Sequence, residues 1–168
     1  MTSPHAIPEA EYRALMMFDH LPEGCIAHLV TDNCSIPHIR PGEFVVVDTN
    51  DRQVRHLETY VIQWNSGRRS VCEAVSREFN WCDKTIPRSG WSVRSISGLR
   101  GRAVVEAIDR ARAFSETSGR TIEFPMLGWS EGPYRSDDGY LESKFVGCVV
   151  GIYQPSFEGP TRVVGSVS

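Results

Sequence analysis

The stretch that decides the fold runs Cys34-Ser-Ile-Pro-His-Ile-Arg-Pro-Gly-Glu-Phe-Val-Val-Val-Asp48. Its first half carries Pro37, Pro41 and Gly42, residue types that punctuate loops and turns. Its second half, from Phe44 to Asp48, is a short apolar run rich in β-branched residues, which favours a strand. The stretch therefore predicts a loop that leads directly into a strand.

Further strands are predicted on both sides of a polar turn. Thr59 to Trp64 is apolar and β-prone, and Asn65-Ser66-Gly67 follows with residues that tolerate positive φ. Ser70 to Val75 then forms the second arm of the hairpin, and Phe145 to Ile152 supplies a late apolar strand. Short strands at regular spacing predict a mixed, mainly antiparallel β architecture.

These segments, in this order, resemble the LexA/UmuD family of self-cleaving repressors and related serine peptidases. In that family a segment like Gly-Asp-Ser-Met-x-Pro-x-Ile-x-x-Gly-Asp leads into an apolar strand, and Pro37, Ile39, Gly42 and Glu43 fit this pattern. The resemblance covers about residues 26–76 and 141–153, where Phe145 to Ile152 is similar to the family's closing Gly-x-Val-Val-Gly strand. It implies a mixed β barrel like the LexA carboxy-terminal domain.

The catalytic positions of the family are changed in this chain. The nucleophilic serine falls on Cys34, the following methionine on Ser35, and the catalytic lysine on Cys72. The family's serine needs a desolvated, neutral lysine as its base, and a thiol of comparable acidity does not serve as that base. The family's Ala-Gly and Cys-Gly cleavage dipeptides are also absent. We therefore expect no catalytic residue and a degenerate site in a protein that is not an enzyme.

Two alternatives remain open at this stage. One is a serine- or cysteine-type peptidase that uses Ser35 or Cys34 with an unrecognised base, for which His38 is a candidate. The other is a thiol redox sensor in which Cys34 and Cys72 lie close enough to form a disulfide. A metal site on Cys34, Cys72 and His38 would lack a fourth ligand, so neither metal nor cofactor is expected.

The pattern divides the chain into three parts. Residues 1–25 are predicted to hold an amphipathic helix from Pro8 to Leu21 and a lead-in. Residues 26–155 form the β domain, with an insertion at about 77–140 that carries a predicted helix from Ser97 to Ser115. Residues 156–168 are predicted to be a loosely held tail.

Composition limits the classes of partner. The 168 residues carry a net charge of -3, and the predicted helices leave no room for a helix-turn-helix unit, so we expect no specific DNA binding by this chain alone. The sequence shows no apolar run near 18 residues and no signal peptide, which favours a cytoplasmic protein without membrane contact. Five cysteines without an export signal favour reduced thiols.

Contacts with proteins are therefore the expected mode of action. Aromatic residues in the insertion are candidates for an interface, namely Trp91, Trp129 and Tyr134, with Trp129 on an exposed loop between Gly128 and Gly139. The family resemblance implies self-association as a homodimer, and a peptide groove offers contact with a protein partner. The sequence thus favours a regulatory or assembly module, and the family suggests a setting in transcriptional or in phage and stress regulation.

Overall fold

A computed structural model describes residues 15–80, 88–98, 102–120 and 127–155. The strands in these ranges form one curled sheet that resembles half of a barrel. In chain order the elements are β1 (Met16–Phe18), β2 (Cys25–Leu29), β3 (Phe44–Asp48), β4 (Thr59–Gln63), β5 (Arg69–Phe79), β6 (Arg88–Arg94), α1 (Arg102–Ser118), β7 (Ser130–Arg135), α2 (Tyr140–Lys144) and β8 (Phe145–Tyr153). The strand order is β2-β3-β8-β4-β5-β6-β7, and β1 pairs with β8. The prediction of a mainly β fold with helical additions is confirmed.

Side chains that alternate along the strands build two apolar clusters, one on each face of the sheet. On β5, for example, Val71 joins the first cluster and Cys72 the second. The first cluster comprises Val30, Ile39, Val45, Val47, Val61, Val71, Val149 and Ile152. The second comprises Tyr60, Ile62, Cys72, Ala74, Val93, Leu141, Phe145 and Cys148. The rings of Tyr60 and Phe145 stack in the second cluster with centroids 4.1 Å apart.

The closing strand β8 is an interior strand of this sheet with three partners. It pairs antiparallel with β3 and β4 and parallel with β1. A Cβ atom at Gly151 would overlap the Met16 carbonyl and the Phe18 ring, so glycine lets β1 approach β8 closely. The Gly-x-Val-Val-Gly pattern is therefore explained in part by close strand packing.

The predicted N-terminal helix is wrong over its described part. Met16–Phe18 is a strand, and its register places Met16 opposite Gly151 and Phe18 opposite Tyr153. Leu15, Met16 and Phe18 do have helical spacing, but pairing with β8 satisfies backbone groups of Met16–Phe18 instead. Residues 8–14 of that prediction lie outside the described residues.

The range predicted as a helical insertion is partly an extension of the sheet. β5 continues to Phe79 and pairs with β6, which pairs in turn with β7. Val93 of β6 is fully buried in the second cluster, so this part of the range belongs to the core. The predicted helix is present as α1 over Arg102–Ser118, and Gly119 follows with φ 66°.

Candidate functional site

The loop between β2 and β3 is closed at its base by backbone hydrogen bonds. The Val30 amide donates to the Glu43 carbonyl at 2.9 Å, and the Gly42 amide donates to the Val30 carbonyl at 2.8 Å. Gly42 has φ 91°, and the Glu43 amide donates back to the Arg40 carbonyl at 3.1 Å, which closes the Pro-Gly turn. The motif residues Gly42 and Ile39 thus shape the loop, and Ile39 holds it to the first cluster.

Ser97, in the segment after β6, holds this loop, and Ser95 joins the same segment to Trp129. The carbonyl of Cys34 accepts hydrogen bonds from the Ser97 amide at 3.0 Å and from the Ser97 hydroxyl at 2.8 Å. The Trp129 amide donates to the Ser95 hydroxyl at 3.0 Å, and the Ser95 amide donates to the Trp129 carbonyl at 3.0 Å. Sequence reasoning missed these serines, because their partners lie 34 and 63 positions away along the chain.

Cys34 is half-buried, and its backbone amide is already engaged. That N–H donates to Oδ1 of Asp32 at 3.0 Å, and Asp32 lies 3.7 Å from the Arg68 guanidinium. Burial raises the pKa of the Cys34 thiol, and the Asp32 carboxylate raises it further, while Trp129 and Arg68 act in the opposite direction. Cys34 is therefore mainly a neutral thiol near pH 7.

Cys72 lies in a different environment from Cys34. Its side chain is fully buried within the second cluster, and this burial raises the pKa of its thiol. Both residues are free thiols in the structure, and neither contributes to the pKa shift of the other. The pairing considered from the sequence remains a hypothesis.

Ser35 and His38, the other catalytic candidates, occupy contrasting positions. Ser35 is fully buried, and its hydroxyl has no hydrogen-bond partner among the described residues. His38 lies at the surface. The Ser35 hydroxyl therefore has no hydrogen-bonded base among the described residues.

The described lysine, Lys144, lies away from the loop. Its ammonium group donates to Oδ1 of Asn65 and lies 5.1 Å from the centroid of the Tyr140 ring. Lys84 lies outside the described residues. In the part of the chain that the structure describes, no lysine amine therefore forms a hydrogen bond with Cys34, Ser35 or Cys72.

The three aromatic interface candidates are packed beside the second cluster. Trp91, Trp129 and Tyr134 are half-buried, and Trp91 lies opposite Tyr134 in the pairing of β6 with β7. Trp129 is braced through its backbone and packs edge-on against Trp64, with ring centroids 5.5 Å apart. The loop expected between Gly128 and Gly139 contains the edge strand β7.

Tyr134 combines an apolar contact with a charged neighbour. Its hydroxyl donates to Oε1 of Glu131 at 2.9 Å. Burial raises the pKa of Tyr134, and the hydrogen bond to Glu131 raises it further. The phenol is therefore protonated at neutral pH, and it serves as a hydrogen-bond donor.

Within residues 15–80, 88–98, 102–120 and 127–155, no group of three or more His, Cys, Asp or Glu side chains is arranged to hold a metal ion. Neither helix in these ranges is long and apolar enough to cross a membrane. Comparison with protein-family models, curated proteins and solved structures finds no match to this chain.

Proposed function

We propose that this chain is a catalytically degenerate relative of the LexA/UmuD-type peptidase domains and that it acts through contacts with proteins. The support for kinship is the ordered sequence pattern together with the loop that its residues form. Pro41 and Gly42 make the turn, Ile39 enters the core, and Val45 and Val47 continue into the buried strand β3. This turn and the strand after it support a LexA/UmuD-like scaffold in which the catalytic positions are changed.

The position of Asp32 carries the proposal that the site does not catalyse acyl transfer. Serine and cysteine peptidases commonly use the amide of the nucleophile to stabilise the oxyanion of the tetrahedral intermediate. Here the Cys34 amide donates to the Asp32 carboxylate at 3.0 Å. A carboxylate at that donor would repel the negative charge of an oxyanion. Burial, and after it this carboxylate, raises the pKa of the Cys34 thiol and so keeps the thiol neutral.

The same geometry gives less support to the two alternatives, a peptidase that uses Ser35 or Cys34 and a thiol redox sensor. A buried Ser35 without a hydrogen-bonded base among the described residues has neither substrate access nor an activated hydroxyl. A redox sensor needs a thiolate, and burial raises the pKa of both Cys34 and Cys72. Neither observation favours a peptidase or a thiol switch.

An apolar row across four strands supports contact with proteins. Leu29 of β2 lies opposite Phe44, Phe44 lies opposite Tyr153, and Tyr153 lies opposite Phe18. Leu29 and Phe44 are exposed, as is Met16, two positions before Phe18 on the same face of β1. We call these five residues the apolar row. Phe18 and Tyr153 are half-buried, so Met16, Leu29 and Phe44 supply the exposed apolar surface of the row. Exposed apolar surface marks interaction sites, and a homodimer would cover it.

Prolonged incubation tests the catalytic part of this proposal. The purified chain should keep its full mass at alkaline pH, where a lysine-based dyad would be most active because its amine is neutral. Intact-mass spectrometry is the measurement, with Cys34→Ala and Ser35→Ala as matched controls. A discrete fragment that either substitution abolishes would show that the chain is a peptidase.

A further inference from the structure

Met16 presents a thioether side chain at the surface of the apolar row. It is 65% exposed, more than any other large apolar side chain among the described residues. Gly151, which has no side chain, lies opposite Met16 in β8, so Met16 has no direct cross-strand side chain to pack against. Within the described ranges β1 pairs with no second strand, which leaves its other side open. A small oxidant in solution therefore has access to this side chain.

The composition of the row makes Met16 its one member that reacts readily with hydrogen peroxide. The sulfur attacks one peroxide oxygen, and an S–O bond forms as the O–O bond breaks. The departing hydroxide takes the proton of the transferred hydroxyl group and becomes water. The sulfur loses two electrons, and the peroxide gains them. The other members of the row carry hydrocarbon or phenol side chains, namely Phe18, Leu29, Phe44 and Tyr153.

The described cysteines compete poorly for the same oxidant. Cys25, Cys34, Cys72 and Cys148 are free thiols, and burial raises the pKa of each. Peroxide reacts with a thiolate rather than with a neutral thiol, whereas its attack on a thioether needs no deprotonation. At pH 6 a response to peroxide should therefore come from methionine rather than from these cysteines.

Oxidation of Met16 would change the polarity of the row. Met16, Leu29 and Phe44 supply its exposed apolar surface, so one of three contributors would become a polar sulfoxide. Burying a polar group against apolar side chains without a hydrogen-bond partner opposes association. Association in turn shields Met16 from the solvent, so oxidation and self-association should each oppose the other.

From these observations we infer that Met16 is an oxidation site through which hydrogen peroxide weakens self-association of the chain at the apolar row. Reduction by two thiols, catalysed by methionine sulfoxide reductases, would return the sulfur to a thioether and release a disulfide and water. The inference rests on the proposed function, since it concerns the homodimer contact that would cover the row. It differs from a thiol switch because no cysteine of the chain takes part.

Controlled oxidation of the purified chain tests this inference. The chain is treated with hydrogen peroxide at pH 6, and tandem mass spectrometry of its peptides gives the sulfoxide fraction at Met16 and Met17 separately. Met17 is an internal reference, because it is 59% exposed but lies on the opposite face of β1. Raising the protein concentration above the dimer Kd should slow oxidation of Met16 several-fold relative to Met17.

Sedimentation velocity measures the effect on self-association. Complete oxidation of Met16 should raise the dimer Kd about fivefold, because a polar sulfoxide replaces an apolar group in the contact. Treatment with the two epimer-specific methionine sulfoxide reductases and dithiothreitol should return the Kd to its starting value.

Two matched leucine variants assign the effect to one position. Met16→Leu keeps an apolar side chain without a thioether, so its Kd should not respond to peroxide, whatever its starting value. Met17→Leu should respond as the unsubstituted chain does. Met1 and Met126 lie outside the described residues, and their oxidation cancels because both are present in all three proteins.

The inference fails if the Kd is unchanged when Met16 is fully oxidised, or if Met16→Leu responds equally to peroxide. Circular dichroism of the oxidised chain is the control for folding, and a change in Kd that accompanies unfolding would also overturn the inference. A chain that stays monomeric at every concentration would instead overturn the contact at the apolar row, and with it the self-association part of the proposed function.

Discussion

Asp32 governs the chemistry of Cys34 at the scale of single residues. Its carboxylate accepts the Cys34 amide and raises the pKa of the thiol, in addition to the larger effect of burial. We predict that Asp32→Asn makes Cys34 react several-fold faster with iodoacetamide at pH 8. The amide side chain keeps a hydrogen-bond acceptor but removes the negative charge, so that more thiolate forms.

Peptide mapping by mass spectrometry gives the alkylation rate of each cysteine separately. Cys25 is an internal reference, because burial and Asp48 raise its pKa and Asp32 takes no part. Arg68→Gln should slow alkylation of Cys34, since Arg68 lowers the pKa of this thiol. An unchanged rate in Asp32→Asn would mean that burial alone keeps Cys34 neutral.

The buried thiols also determine how stability depends on pH. Burial raises the pKa of Cys148 from 9.0 to about 11, so the folded protein holds this proton more tightly than the unfolded chain does. The resulting stabilisation is complete below pH 9 and is lost as the pH rises toward 11. We predict a loss on the order of 1–3 kcal/mol over this window from Cys148 alone.

Urea unfolding at pH 8, 9, 10 and 11 measures this loss. Tyr60, whose pKa burial raises to about 12, extends the decline above pH 10 in the same direction. Cys148→Ala should be less stable at pH 8 yet show a shallower decline between pH 9 and 11. An equally steep decline in that variant would assign the effect to other groups.

At the scale of elements, the sequence predicts those strands whose own residues are mostly apolar and β-branched. β3, β4 and β8 are buried, β-branched runs, so local pattern and final burial agree. β7 was missed because Ser130, Gly132 and Pro133 have low strand propensity, and pairing with β6 determines its conformation. β1 was misassigned because its partner β8 is distant in sequence.

In the candidate site, too, the sequence predicts the features that depend on neighbouring residues. It does not predict the contacts between segments that are distant along the chain. The Pro-Gly turn and the Ile39 contact follow from short-range pattern, and the structure has both. The hold of Ser97 on Cys34 and the packing of Trp129 on Trp64 depend on register between segments far apart in the chain. Asp32 lies only two residues before Cys34, but its hydrogen bond with the Cys34 amide depends on the conformation of the loop, which the local pattern does not predict.

The contact between β1 and β8 provides a prediction at this scale. Gly151→Ala should destabilise the protein by about 1–3 kcal/mol, because the added methyl group overlaps the Met16 carbonyl and the Phe18 ring. Hydrogen exchange should accelerate at the Gln154 amide, which donates to the Phe18 carbonyl at 2.8 Å. Gly67→Ala is the control, since it strains a turn with φ 81° but meets no atom within 4 Å.

The two Gly-to-Ala variants separate strand displacement from general loss of stability. Both should unfold more readily in urea, but accelerated exchange at Gln154 under native conditions should be confined to Gly151→Ala. If exchange there is unchanged, β1 accommodates the methyl group, and the close approach is not the reason for glycine at this position.

At the scale of the whole molecule, helix α1 carries paired charges, whereas the strands of the sheet carry the apolar row. Arg102 on α1 pairs with Glu106 at 3.3 Å, which fits a solvated helix better than a nucleic-acid surface. The apolar row lies on β1, β8, β3 and β2.

The apolar row leads to the prediction that the chain self-associates through this face. Replacing Met16 with Gln and Phe44 with Thr together should raise the dimer dissociation constant at least about tenfold, because exposed apolar contacts at a dimer core would be lost. Stability of the monomer should change little, since the two side chains are 65% and 39% exposed. Sedimentation velocity over a concentration series measures the association.

Val105→Thr with Phe114→Gln removes exposed apolar surface from α1 and should leave the dimer intact. A wild-type chain that stays monomeric throughout, or an α1 variant that dissociates instead, would show that the row is not the dimer face.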